Sequence, residues 1–234
     1  MDGQLRDKVA SGVAWSMAEK VGTMLLQLAV SLTILRLLNP AIMGVIAIPT
    51  AFLAVAIVIA DSGFSQALIR KGTPTADDYK SVFAFNVGVA LVLYGVLVAL
   101  AGSIARFYDM PEITRIAPVF FLQLPLSAAC AIQNTIFVRT FRFALLSKVT
   151  FASWFIAGMV AIGLALAGFG IWCIVVQRVL QASVRALLLW WLSDWRPCGA
   201  CSRGPLREMA PFSFSLIATD LISTFYNKIP QFFL

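Results

Sequence analysis

Histidine is absent from all 234 residues. That removes imidazole general bases, imidazole metal ligands and Ser-His triads together. Charge is scarce as well: only 12% of residues are charged while 60% are hydrophobic, against about 25% and 45–50% in an ordinary soluble domain. A chain this apolar cannot bury its surface inside one globule. The class is therefore an all-α polytopic membrane protein. Of the four cysteines, Cys130 and Cys173 fall in apolar runs, and Cys198 and Cys201 make a lone C-x-x-C. Two thiolates without a second pair do not complete a tetrahedral zinc site, so no metal and no cofactor are expected. Low-complexity segments and soluble inserts are missing too. The first apolar segment carries Glu19 and Lys20 and no small-x-small site, so it reads as a helix rather than a cleavable leader.

Long apolar runs, most of them uncharged, take the place of what is missing. They cover Val21–Leu35 (in a helix starting near Ser11), Leu37–Ala60, Ser81–Ala105, Ile116–Val138, Val149–Ala167 and Ile171–Trp191, with a less apolar seventh at Met209–Leu234. Most reach the ~20 residues that cross a ~30 Å hydrocarbon core. Loops between them are short, so neighbouring helices are expected to be antiparallel. The net charge of +7 then speaks of orientation, not of nucleic acid. One side collects Arg6, Lys8, Arg70, Lys71, Lys80, Arg139, Arg142, Lys148, Arg196, Arg203 and Arg207; the other collects Arg36, Arg106 and Arg115. The positive-inside rule places the richer side, with the N-terminus, in the cytoplasm. Trp190, Trp191 and Trp195 are read as inner-interface residues and Trp172 as an outer one.

Ionisable groups inside spans cost roughly 2.5–3.5 kcal/mol each near the bilayer centre. Asp61 comes about 20 residues after Pro40, which places it at the inner edge of its span rather than at the centre. Ser62-Gly63 ends the helix there, and Phe64, Ala67 and Leu68 form a short amphipathic turn leading to Arg70 and Lys71. Arg178, Gln181 and Arg185 are spaced i, i+3 and i+7, one stripe of a helix. The stripe reads as a cationic surface facing a water-filled cavity, or as a pair of anchoring arginines. Glu19 and Lys20 sit in the first span. Asp220, Thr224, Asn227 and Lys228 make the seventh run polar, as suits a helix beside a cavity or one that inserts poorly. A basic internal surface calls for an anionic ligand, and a lipid-borne phosphate or diphosphate fits a membrane cavity because guanidinium grips phosphate bidentately.

Several stretches, in order, resemble the Wzx-type polysaccharide flippases of the MOP exporter superfamily, in particular the colanic-acid-exporter-like branch. They are SGVAW (Ser11–Trp15) with Glu19-Lys20, LRLLNPAIMG (Leu35–Gly44), DSGFSQALIRK (Asp61–Lys71), DDYKSVFAFN (Asp77–Asn86), RFYDMPE (Arg106–Glu112), GFGIWCIVVQ (Gly168–Gln177) and WRP (Trp195–Pro197). The resemblance implies two six-helix lobes around a central cationic cavity. It implies movement of undecaprenyl-diphosphate-linked oligosaccharide across a bacterial inner membrane. On that pattern residues 1–195 are the N-terminal lobe, 196–207 a cytoplasmic loop, and 208–234 a seventh helix opening a second lobe. Arg178, Arg185, Gln181, Lys20 and Lys228 become the candidate substrate-binding residues. Glu19, Asp61 and Asp220 become the candidate acids for cation coupling. Membrane lipids, another copy or a separately encoded second lobe are the expected partners.

Such flippases are about twice as long, and the ending NKIPQFFL departs from the family pattern; the expectation is a truncated chain or fragment that does not move substrate alone. Three alternatives stay open. A small-solute or multidrug exporter of the same superfamily would rely on the acids more than on the arginines. A non-functional remnant would use neither. A membrane glycan polymerase would need a large external loop or clustered aqueous acids and histidines, which this sequence does not offer, so no enzymatic activity is expected.

Overall fold

The computed structural model describes residues 2–37, 40–61, 63–197, 213, 219–220 and 222–224, with side chains from Lys20 onward in the first helix. Up to residue 197 the described residues form eight helices: α1 (Asp2–Leu37), α2 (Pro40–Asp61), α3 (Phe64–Arg70), α4 (Ala76–Phe107), α5 (Glu112–Phe120), α6 (Gln123–Arg139), α7 (Phe143–Leu166) and α8 (Trp172–Leu192). Among the described residues there is no strand. Six segments of the described residues are long and apolar enough to cross a membrane, with α5 and α6 counting as one. The protein is thus an all-α polytopic membrane protein. The expected seventh run, with Lys228, and the Cys198/Cys201 pair lie largely or wholly outside the described residues; Ser213, Thr219, Asp220 and 222–224 are helical.

The structure differs from the sequence expectation in three places. First, α1 starts at Asp2 rather than near Ser11. Second, the apolar run Ile116–Val138 is not one helix. Proline cannot donate its missing N–H, and its ring clashes with the carbonyl four residues back. For Pro125 that carbonyl belongs to Phe121, where the helix breaks. The break is kept satisfied: Gln123 Nε2 donates to the Phe120 carbonyl at 2.7 Å, and Tyr94 donates its hydroxyl to the Pro118 carbonyl at 3.1 Å. Third, the amphipathic turn after Asp61 is a true helix, α3, with Phe64, Ser65, Ala67 and Leu68 buried. Gly63 between α2 and α3 has φ +66°, the left-handed region that glycine enters without a Cβ penalty.

Connections are short, so the helices run up and down. Every helix except α3 contributes to the main core, which includes Val30, Leu53, Ala90, Phe120, Leu124, Ala161 and Val175. α7 lies against α8, and α1 packs principally against α7. Lipid is as apolar as leucine, so helices associate in a membrane through close packing at small residues. α7 supplies them: Ala157, Ala161 and Ala165 repeat every fourth residue and are buried. Gly158 admits Val30 of α1 so closely that an added Cβ would lie 2.8 Å from Val30 Cγ2.

The end that carries α3 is densely bonded. Thr75 caps α4 in a capping box: it accepts from Asp78 N at 3.3 Å, and Asp78 Oδ2 accepts from Thr75 N at 2.7 Å. Asp78 also pairs with Lys71 at 3.2 Å. Arg139, the last residue of α6, reaches back to α3 and donates to the carbonyls of Leu68, Ile69, Lys71 and Gly72. These are carbonyls that a helix C-terminus leaves without partners. Two of the tryptophans read as interface residues are packed here: Phe83 meets both Trp190 and Trp195 edge to face. Trp191 stays 80% exposed.

Candidate functional site

α8 brings two arginines into the bundle, seven residues apart, about 10 Å along the helix. Sequence spacing alone put Arg178, Gln181 and Arg185 on one stripe. The structure distributes them between two separate grooves.

The larger groove, about 560 Å³, runs between α1 and α2 with α7 and α8 as its floor. α1 contributes Gln27 and Ser31, which share a face at i, i+4 with Met24 and Leu28 one turn away. α8 contributes Gln177 and Arg178, and α7 contributes Trp154. The Arg178 guanidinium lies over the Trp154 ring, 5.8 Å from its centroid. Such cation–π contacts are worth about 0.5–1 kcal/mol when exposed and more when desolvated. They hold the plane of the guanidinium without consuming an N–H. Arg178 has no hydrogen bond or ion pair among the described residues, and it is exposed to the groove.

The second groove consists of two adjoining pockets between α2, α6 and α8, of about 170 and 120 Å³, which share Ser127, Ala131 and Asn134. Gln181 and Arg185 line the smaller one. Arg185 Nη2 donates to Asn134 Oδ1 at 3.2 Å, and its Nε is buried without a partner. Asp61 lines the other pocket, where it accepts from Ser65 Oγ at 2.5 Å. Asp220, the other described candidate acid, acts on Asp61 through its charge. Asn134 stands at the seam, with Asp61 on one side and Arg185 on the other.

Lys20 is exposed on α1 and lines neither groove. It lies 17 residues before Leu37, roughly 26 Å along the helix, which is close to the full hydrocarbon thickness. The side chain of Glu19 and the whole of Lys228 lie outside the described residues. Trp154, Gln27, Ser31, Gln177 and Asn134 were not read from sequence. The signal for Gln27 and Ser31 was present, two polar residues one turn apart on one face of an apolar run. Trp154 and Asn134 gave none, because their roles come from packing against α8. Among the described residues, no three His, Cys, Asp or Glu side chains converge on a metal-sized site.

These features define a class: a polytopic membrane protein with polar grooves opening inside its spans. The chain belongs to the polysaccharide biosynthesis protein family, whose model matches residues 33–234. It is 26% identical over 223 residues to the succinoglycan biosynthesis transport protein ExoT of Rhizobium meliloti, covering 95% of this chain and 45% of that one. It is 26% identical over 178 residues to the teichuronic acid biosynthesis protein TuaB of Bacillus subtilis, covering 74% and 35%. An uncharacterized membrane protein in the cps region of Klebsiella pneumoniae is 21% identical over 231 residues, covering 96% and 47%. The chain thus spans about half the length, or less, of the curated relatives it matches. No solved structure matches it. Family and relatives agree with the resemblance to polysaccharide flippases of the MOP superfamily.

Proposed function

We propose that this chain forms one lobe of a carrier that moves a lipid-linked oligosaccharide across a bacterial inner membrane for polysaccharide synthesis. In this reading the N-terminus and the α3 end face the cytoplasm, as the Lys/Arg asymmetry favours. A second lobe, from a further segment, another copy or a separate chain, faces the grooves. Rocking of the two lobes exposes the site to each side in turn. The arginines of α8 hold the anionic parts of the cargo while its acyl chain stays in lipid. Asp61 with Asp220 is the acidic pair available to a coupling cation. Relatives named for succinoglycan transport and teichuronic acid biosynthesis support the cargo class.

The observation that carries the proposal is Arg178: a guanidinium within a span, laid on Trp154, open to a groove and without a polar partner among the described residues. The experiment is complementation. Substituting alanine for the arginine that matches Arg178 in a full-length relative abolishes polymer export in a strain lacking its own carrier, without loss of membrane protein. Lysine at that position restores part of it. Normal export by a well-expressed alanine variant removes Arg178 from the cargo path.

A further inference from the structure

The two arginines of α8 open into grooves that have no lining residue in common. Their Cα atoms are about 10 Å apart along the helix. Each guanidinium opens into its own groove, so a diphosphate seated beside Arg185 does not occupy the space beside Arg178. Two anionic groups, or one anion with one idle arginine, are the remaining arrangements.

The neighbours of each arginine differ in kind. Around Arg178 stand Gln27, Ser31 and Gln177, and none of these three side chains makes a hydrogen bond among the described residues. Two amides and a hydroxyl offer both donors and acceptors. A diphosphate has only acceptors to give, so the amide oxygens would face it unmatched. A sugar ring carries hydroxyls that donate and accept, and it fills a groove of this size better than a compact anion does. Around Arg185 the space is about 120 Å³, enough for a compact group, and its Nε is still without a partner.

We infer that the large groove is a subsite for an acidic sugar. A carboxylate or comparable substituent pairs with Arg178, and ring hydroxyls bond to Gln27, Ser31 and Gln177. Arg185 takes the diphosphate. Trp154 is a positioning residue: its face fixes the plane of the Arg178 guanidinium and leaves the N–H rim turned to the groove. The cargo then carries its acidic substituent within the first sugars beyond the lipid diphosphate, at the spacing set by one heptad of α8. This rests on the proposed reading of the chain as part of a lipid-linked-glycan carrier.

The test measures binding to the purified chain in nanodiscs with three probes. These are a tetrasaccharide of alternating glucuronate and N-acetylglucosamine, the neutral N-acetylglucosamine tetrasaccharide, and farnesyl diphosphate. The unsubstituted chain binds the acidic tetrasaccharide about tenfold or more tighter than the neutral one, as one charge-assisted contact provides. Arg178→Gln erases that preference and changes farnesyl diphosphate binding by less than about threefold; Arg185→Gln does the reverse. Arg178→Lys keeps part of the preference. Trp154→Leu weakens acidic binding and leaves neutral binding as it was, which loss of fold would not do. Equal binding of acidic and neutral tetrasaccharides to the unsubstituted chain overturns the subsite, and that comparison needs no variant. Equal weakening of both anionic probes by both glutamine substitutions also overturns it, in favour of one shared anion site. Acidic preference without any binding of farnesyl diphosphate keeps the subsite and counts against the carrier reading. Farnesyl diphosphate binding without acidic preference does the opposite.

Discussion

Arg139 and Arg178 carry the same guanidinium into the same bundle and meet opposite surroundings. Arg139 closes α6 by donating to four backbone carbonyls around the end of α3. Arg178 donates to no group among the described residues and rests on an aromatic face. Where a helix end leaves carbonyls bare, an arginine fork is consumed by the fold. Where every backbone group is already paired inside a helix, the fork has nothing to satisfy and stays available to a ligand. The α3 end and the large groove are therefore the saturated and the open parts of one bundle, and the partners that make them so are seen in the structure.

Arg139→Ala tests the saturated side and has the largest expected effect. It leaves several carbonyls at the α3–α6 junction without their charged donor, and charged hydrogen bonds contribute roughly 1.5–3 kcal/mol each without being additive. A loss of about 3 kcal/mol is expected in denaturant titrations of the purified chain in detergent. Arg139→Lys recovers little of it, because a point charge cannot fork to separate carbonyls. An alanine variant as stable as the parent breaks the comparison.

A second pair sharpens what being unpartnered means. Asn86 on α4 and Gln133 on α6 are fully buried, and none of their amide atoms has a partner. Unlike Arg178, they line none of the described grooves. An orphan in the core is a cost, so Asn86→Leu and Gln133→Leu are each expected to raise stability by about 1–2 kcal/mol. Destabilisation by both would show that each amide is satisfied by a bound water or ion. Thr75→Ala removes half of the capping box on α4 and lowers stability by about 1 kcal/mol in the same titrations. No change there would mean that Asp78, through Lys71, holds the helix start without help. Smallest of all is the effect of Arg178→Ala on stability, under about 1 kcal/mol, the size of a lost cation–π contact. A loss as large as that of Arg139→Ala would make Arg178 another structural arginine.

The membrane class and six spans were legible because a run of about 20 apolar residues has few other uses. Asp61 at the end of α2 followed from counting residues after Pro40. The break at Phe121 was written in Pro125 but hidden by continuous hydropathy, which measures transfer to lipid and ignores the hydrogen-bond ladder. The candidate site was legible only in part. Periodicity places Arg178 and Arg185 on one stripe but does not show where one groove ends and the next begins. That depends on Trp154, 24 residues before Arg178, and on Asn134, which bonds Arg185 across 51 residues of sequence. Such partners are fixed by packing, and no spacing rule reaches them.

The pairing of α1 with α7 has a consequence for the order of events during synthesis. Between Leu37 at the end of α1 and Phe143 at the start of α7 lie more than a hundred residues. At about 5–20 residues per second, α1 spends roughly 5–20 s in the membrane before its principal neighbour has been made. Through that interval Val30 has no Gly158 to close upon, and the groove of Gln27 and Ser31 has no floor. α7 and α8 follow each other directly, so Trp154 and Arg178 meet soon after both emerge. The large groove is in this sense the last part of the lobe to be built, and the ribosome, by its pace, sets how long α1 must wait for it.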